Sequence, residues 1–231
     1  MTPRYAIYYA PRRGSAWWNF GARWLGRDEH DDQPLAPQGW LQMPTNKFQR
    51  MTGAASRYGF HATLKAPFHL AGGCDGDVLL ERVRLLARAL KPLPLGTLVP
   101  VFMDGFVALV PSRRNPALSA LAQACVQELD DLRAPLDEAA RSKRRIDPGD
   151  ARAQELFERY GYPHVLERFR FHMTLTGPVD TALAGKVVAQ IARPVAQLNA
   201  EAPPMLDRLC VFAEPRTGAP LRRIADVELA P

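Results

Sequence analysis

Hydrophobic positions along the 231-residue chain recur with two periods, and segments of the two kinds alternate. A run rich in aromatic and β-branched residues at 4–10 (RYAIYYA) stops at Pro11 and predicts a strand. Residues 58–70 and 168–179 predict strands too, because apolar and polar side chains alternate along them. Apolar residues at helical spacing mark 77–91, with Pro92 just past the end, and 116–132, with Pro116 at the first helical position. Residues 98–111 (LVPVFMDGFVALVP) predict two short strands joined at the turn Asp104-Gly105. Residues 137–160 are charged and helix-prone, broken by Asp147-Pro148-Gly149; 182–196 predicts a helix, and 205–214 and 221–229 predict strands. No period is sustained over 12–50, where Gly, Pro, acidic residues and Trp17, Trp18 and Trp24 gather. That composition predicts an irregular segment with one short helix, placed as a flap over a site.

A helix follows each of the strands at 58–70 and 168–179. Two halves of similar layout predict an α+β fold built from a duplicated unit. No Gly- or Ser-rich linker separates the halves, so residues 1–231 are expected to form a single domain with two lobes.

Composition narrows the class without naming a function. Hydrophobic residues make up 47% and charged residues 23%, enough for a sizeable core. No apolar run reaches the ~18 residues that a membrane helix needs. The start MTPRYAIYYAPRR lacks the basic region and apolar run of a secretory signal. Cys74, Cys125 and Cys210 are odd in number and far apart, which argues against a disulfide framework and against a metal site. A cytoplasmic location with no membrane partner is therefore expected. The net charge of +6 favours an anionic partner. A dense patch at Arg141, Lys143, Arg144 and Arg145 is taken first as a solvated helix end or loop, and second as a phosphate-facing surface.

The chemistry lies in a repeat. Residues 60–68 are FHATLKAPF and residues 171–179 are FHMTLTGPV, in a chain with five histidines. At ordinary residue usage one His-x-Thr-Leu is expected in roughly 0.02 of chains this long, and two in on the order of a few per ten thousand. On a strand, His61 and Thr63 point one way and Phe60, Ala62 and Leu64 the other; Cα atoms two apart on one face lie about 6.6–6.8 Å apart. His172 and Thr174 stand likewise against Phe171, Met173 and Leu175. A sheet that joins both strands collects two imidazoles and two hydroxyls in one cleft.

Such a cleft suits a phosphodiester. A neutral imidazole takes a proton from the attacking oxygen, a protonated one gives a proton to the leaving oxygen, and the hydroxyls hold the non-bridging oxygens. His61 and His172 are therefore the catalytic candidates, with Thr63 and Thr174 binding the phosphate, and no metal or cofactor is required. A zinc site needs a third and fourth ligand, and no Cys or acidic residue recurs with the motif. Lys65 joins the polar face if the strand continues, with Thr176 as its counterpart. Tyr58, Trp24 and Arg27 are candidates for contacts to the rest of the substrate, against a packing role that is commoner for each. His30, His69 and His164 are taken as packing or surface residues. The pair Arg57-Tyr58-Gly59 and Arg159-Tyr160-Gly161 stands out of register with the motifs and is set aside.

At its two His-x-Thr motifs the chain resembles the 2H phosphoesterase superfamily, which includes RNA 2′,3′-cyclic phosphodiesterases and 2′-5′ RNA ligase-like proteins. The resemblance implies a bilobal α+β domain with pseudo-twofold symmetry and a central cleft, with His61, Thr63, His172 and Thr174 at the motif positions. Further stretches, among them SRYGFHATLKAPF, WLGRD at 24–28, FVALVP at 106–111 and YGYPHVLERFRFHMTLTGP, are similar to one branch of unknown function named for phosphonate metabolism. That resemblance implies a role beside carbon–phosphorus bond breakdown, where a cyclic ribose phosphate arises as an intermediate. Three readings follow. The first is a metal-independent hydrolase of a small cyclic phosphate or phosphodiester. The second is an RNA 2′,3′-cyclic phosphodiesterase or 2′-5′ ligase, with RNA as partner. The third is a nucleotide- or RNA-binding protein without turnover. The sequence leaves the oligomeric state open.

Overall fold

Seven strands form one mixed α/β layer structure's central sheet, in the order β4-β5-β6-β2-β1-β8-β9, with every neighbouring pair antiparallel. The strands are β1 (Arg4–Tyr9), β2 (Ala62–His69), β4 (Leu98–Met103), β5 (Phe106–Pro111), β6 (Met173–Thr174), β8 (Arg208–Glu214) and β9 (Arg222–Glu228); β3 (Leu93–Pro94) and β7 (Met205–Leu206) make a small separate pair. The helices are α1 (Ala16–Leu25), α2 (Thr45–Ser56), α3 (Gly76–Ala89), α4 (Pro116–Gln127), α5 (Glu138–Lys143), α6 (Ala151–Tyr160) and α7 (Thr181–Glu201). This computed structural model describes residues 3–36, 43–144 and 146–231. Among them, no helix is long and apolar enough to cross a membrane.

Strand alternation sorts the sheet into two faces. Ile7, Tyr9, Ala62, Met173, Leu109, Leu209 and Val211 face one core shared with Phe20 and Trp24 of α1, Leu79 and Val83 of α3, Leu121 and Cys125 of α4 and Val187 and Ile191 of α7. On the opposite face Ala6, Tyr8, Cys210 and Phe212 form a smaller cluster with Leu221, and Tyr58 packs against it. The catalytic candidates belong to this second, less covered face.

Most helix ends carry the signals that place them. Asp75 caps α3 through Asp77 and Val78, Asn115 caps α4 ahead of Pro116, and Asp150 caps α6 after the expected break at 147–149. The hairpin β4–β5 turns at Asp104 (φ 49) and Gly105 (φ 87), the two positive φ values of a type I′ turn.

Two expectations are corrected. The segment 12–50 holds the expected short helix, α1, and irregular backbone over the described residues 26–36, but it also holds the start of a second helix, α2, which was not expected; its residues 37–42 lie outside those described. Ser15 starts α1 by accepting from the Trp18 N–H, and Gly26 ends it in the left-handed conformation. Trp17, Trp18 and Trp24 are buried in the core. Their apolar face is matched by tertiary packing, which overrides a local composition rich in helix breakers. Gly21 is part of that packing, because a Cβ there would stand 1.9 Å from the Phe60 ring. The second correction concerns 168–179, where β6 keeps only two residues. Leu166–Arg168 form a 3₁₀ turn, and beyond Thr174 the backbone N–H groups of Leu175 and Thr176 both turn to the Val107 carbonyl and that of Gly177 to Met51. The alternation persists in the sequence, but its hydrogen bonds go elsewhere.

Candidate active site

The two motif strands are neighbours at the middle of the sheet, with Ala62 paired to Met173. Both residues are buried against the helices. Period two therefore turns His61, Thr63, His172 and Thr174 to the other face. Continuing the register one residue each way sets His61 across from Thr174 and Thr63 across from His172. The two histidines are then diagonal neighbours, about 7–8 Å apart on the backbone. All four residues line one cleft of about 920 Å³.

Each imidazole is oriented in the same way, by a bond that the sequence did not reveal. His61 Nδ1 lies 2.9 Å from the Gly59 carbonyl and His172 Nδ1 lies 2.8 Å from the Arg170 carbonyl. A carbonyl only accepts, so each Nδ1 carries the hydrogen and each Nε2 is left to other partners. The Thr63 hydroxyl sits 3.3 Å from His61 Nε2. In both motifs the partner is the carbonyl two residues before the histidine, a spacing that could have been noticed only once the ring orientation was known.

The two rings differ in surroundings. His61 is buried and stacks on Tyr8, with centroids 3.9 Å apart and planes 25° from parallel; Tyr58 and Phe212 stand farther off, each at 6.2 Å. Burial pushes its pKa down to about 4, with the nearby His172 adding to the effect, and the Gly59 carbonyl opposes it. His61 is thus a neutral base at ordinary pH. His172 is more open to the cleft, with the Phe106 ring 5.8 Å away.

Of the other candidates, Tyr58 lies in the cleft as expected, with the Arg57 guanidinium over its ring. Lys65 does not. Between Tyr8↔Thr63 and Ile7↔Lys65 strand β2 carries one extra residue, a bulge that reverses the alternation. Lys65 therefore shares the face of Ile7, where its Nζ donates to the Val126 carbonyl and to Asp130, both at 3.0 Å. Thr176 is buried with its hydroxyl accepting the Val107 N–H at 2.9 Å, which makes it a strut of the cleft wall. Trp24 is fully buried and donates to the Leu175 carbonyl at 2.7 Å, fastening α1 to the second motif. Arg27 is buried and staples Asp32 to the carbonyls of Ser56, Arg57 and Leu221. Neither reaches the cleft.

Tyr8, Phe106 and Tyr162 line the cleft without having been singled out for it, and so does Arg144, which the sequence offered only as part of a basic patch whose second reading was a phosphate-facing surface. Tyr8 and Phe106 were legible only as alternating strand residues; knowing that β1 and β5 flank the motif strands would have placed them. In the basic patch, Arg141 pairs with Glu158 while Arg144 reaches the cleft, and Arg145 and the Lys143 side chain lie outside the described residues. His30 bonds Asp28, and His69 bonds the Pro3 carbonyl at the cleft's outer end. His164 borders a second chamber of about 430 Å³ beside His172. Asp28, Glu29 and His30 lie close enough to share a metal ion. Arg13 and Arg223 already bond the two carboxylates, and none of the three residues borders the cleft.

Comparison with known proteins adds a family and two relatives. A family model described as "Protein of unknown function (DUF1045)" matches residues 63–222, a span that takes in Thr63, His172 and Thr174 and begins just after His61. The "Ribose 1,5-bisphosphate phosphokinase PhnN" of Laribacter hongkongensis (strain HLHK9) is 37% identical over 221 residues, covering 95% of this chain and 50% of that protein. The protein of the same name from Janthinobacterium sp. (strain Marseille) is 38% identical over 222 residues, covering 94% and 49%. The chain spans about half the length of these curated relatives. Because the family model covers well over half of it, the chain belongs to the family described as protein of unknown function DUF1045.

Proposed function

We propose that the protein is a phosphoesterase of the 2H type that hydrolyses a small cyclic phosphate or phosphodiester without a metal ion. The observation that carries this reading is the diagonal pairing of His61 and His172 on one face, each with Nδ1 tied to a carbonyl and Nε2 on the opposite side of the ring, where the Thr63 hydroxyl meets that of His61 and would turn to the phosphate when substrate binds. His61, buried and neutral, takes the proton of the attacking water through Nε2. The water oxygen forms a bond to phosphorus as the bond to the leaving oxygen breaks, and His172 Nε2–H protonates that oxygen. The hydroxyls of Thr63 and Thr174 donate to the non-bridging oxygens and stabilise their charge.

The name that the two relatives share supports a phosphorylated pentose as the substrate class, in keeping with the phosphonate-metabolism branch that the sequence resembles. That name also raises a second reading, a kinase. Phosphoryl transfer from a nucleotide commonly uses a Gly-x-x-x-x-Gly-Lys-Ser/Thr loop, and this chain has no such motif.

A screen tests these readings together. The protein, in EDTA, is offered cyclic ribose phosphates, nucleoside 2′,3′-cyclic phosphates and RNA ending in a cyclic phosphate, and separately ATP with a ribose bisphosphate. Turnover of a small cyclic phosphate supports the proposal, and preference for the RNA favours the RNA phosphodiesterase reading. Phosphoryl transfer from ATP overturns the proposal in favour of a kinase, and binding without any turnover leaves a nucleotide- or RNA-binding protein.

A further inference from the structure

The loop that follows α6 and the end of α5 meet over the cleft, and their cations converge there. Arg144 lies over the Tyr162 ring, its guanidinium carbon 4.4 Å from the centroid, and the Tyr162 and His164 rings contact edge to face at 5.4 Å. Tyr162 and His172 border both the cleft and the second chamber; His164, Arg168 and Arg170 border the chamber, and Arg144 the cleft. Arg168 is neutralised by Asp150 and Arg170 by Asp104. Arg4 and Arg133, elsewhere on the cleft wall, are held by Glu214 and Asp130. Arg144 has no acidic partner among the described residues. Its charge is held in place by an aromatic face and left free to bond an anion. The neighbouring guanidiniums of Arg144, Arg170 and Arg168 lower the pKa of His164, after burial, so they act on one spot. Leu166, in the same loop, keeps a positive φ of 53, a conformation a branched residue holds only where its surroundings impose it.

From this arrangement we infer that Arg144, positioned by Tyr162, forms a second anion subsite in the cleft that His172 lines, and that the substrate carries a phosphate monoester remote from the ester that is cleaved. The inference rests on the phosphoesterase reading for the first site. The cleft has the volume of a whole metabolite pocket, so it accommodates a body between two phosphates. Of the guanidiniums that line the cleft, Arg144 alone has no acidic partner among the described residues, and a single free cation suits a terminal phosphate better than a nucleic-acid backbone, which a row of free cations would track.

Two measurements test it on the full chain. In the first, KM is compared for adenosine 2′,3′-cyclic phosphate, its 5′-phosphorylated form and a dinucleotide ending in a 2′,3′-cyclic phosphate. In the second, calorimetry compares binding of adenosine 3′-phosphate and adenosine 3′,5′-bisphosphate. The 5′-phosphate is expected to lower both KM and Kd about tenfold. Arg144→Ala should abolish that gain and Arg144→Lys should keep part of it. No gain from the 5′-phosphate, or a gain that survives Arg144→Ala, overturns the subsite. An equal gain for the dinucleotide overturns the monoester assignment in favour of an RNA backbone. An Arg144-dependent gain in binding without turnover of any cyclic phosphate upholds the subsite while the phosphoesterase reading fails.

Discussion

His61 Nδ1 donates to the carbonyl of Gly59, and this bond aims Nε2 of a buried imidazole into the cleft. Its counterpart at His172 uses Arg170 in the same way, on the open side of the same cleft. The two rings are alike in orientation and unlike in solvation, so on the proposed mechanism the difference between base and acid is one of burial.

Replacing either ring removes one proton transfer. His61→Ala and His172→Ala should each lower kcat by about 10²–10⁴-fold with the fold retained. A steady-state assay paired with far-UV circular dichroism checks this. The acid limb of kcat/KM should fall near pH 4, where His61 gains its proton, well below the limb of an unperturbed imidazole. Full activity in either variant, or an acid limb at pH 6.5, contradicts the assignment of His61 as base.

The same burial makes stability depend on pH. The unfolded chain binds a proton at position 61 near pH 6.5, whereas the folded chain resists it until about pH 4. Stability is therefore complete above pH 6.5 and declines as the pH falls toward 4, by about 3 kcal/mol at most from this residue. His61→Gln should flatten that part of the curve. Urea unfolding at several pH values between 4 and 7 measures the difference, and parallel curves for the two proteins would exclude His61 as the cause.

Lys65 is expected to affect stability and spare chemistry. Lys65→Met removes a donor from the Val126 carbonyl and from Asp130, which Arg133 still holds. The cost should be about 1–3 kcal/mol. Because the side chain lies on the helix face of the bulge, KM should change less than threefold; a large rise in KM with little change in Tm would return Lys65 to the site.

Gly21 supports the motif from behind. In Gly21→Ala the new methyl collides with Cδ1 and Cγ of Phe60, the residue before His61. Overpacking should cost about 1–3 kcal/mol, and the shift it forces on Phe60 should reduce kcat as well as Tm. An unchanged Tm would show that α1 packs differently from the arrangement described.

Several elements were legible because their causes are local. The turn at Asp104-Gly105, the caps at Asp75 and Asn115 with Pro116, and the break at 147–149 follow from the backbone preferences of the residues themselves. The start of α2 and the burial of α1 within 12–50 were not legible, since what holds α1 in the core is the contact of Trp24, Phe20 and Gly21 with Phe60 and Leu175, residues far away in sequence.

The candidate site divides along the same line. Period-two alternation by itself determined that His61 and Thr63 share one face of a strand and that His172 and Thr174 share one face of another, because successive side chains on a strand point oppositely whatever surrounds them. The tertiary structure alone decided that the strands are neighbours in the register Ala62 to Met173. It alone decided that a bulge carries Lys65 away, that Tyr8 and the protein interior hold His61 neutral, and that Arg144 comes to rest at the rim. Register, burial and the company of charges are set by residues distant along the chain, and no local pattern encodes them.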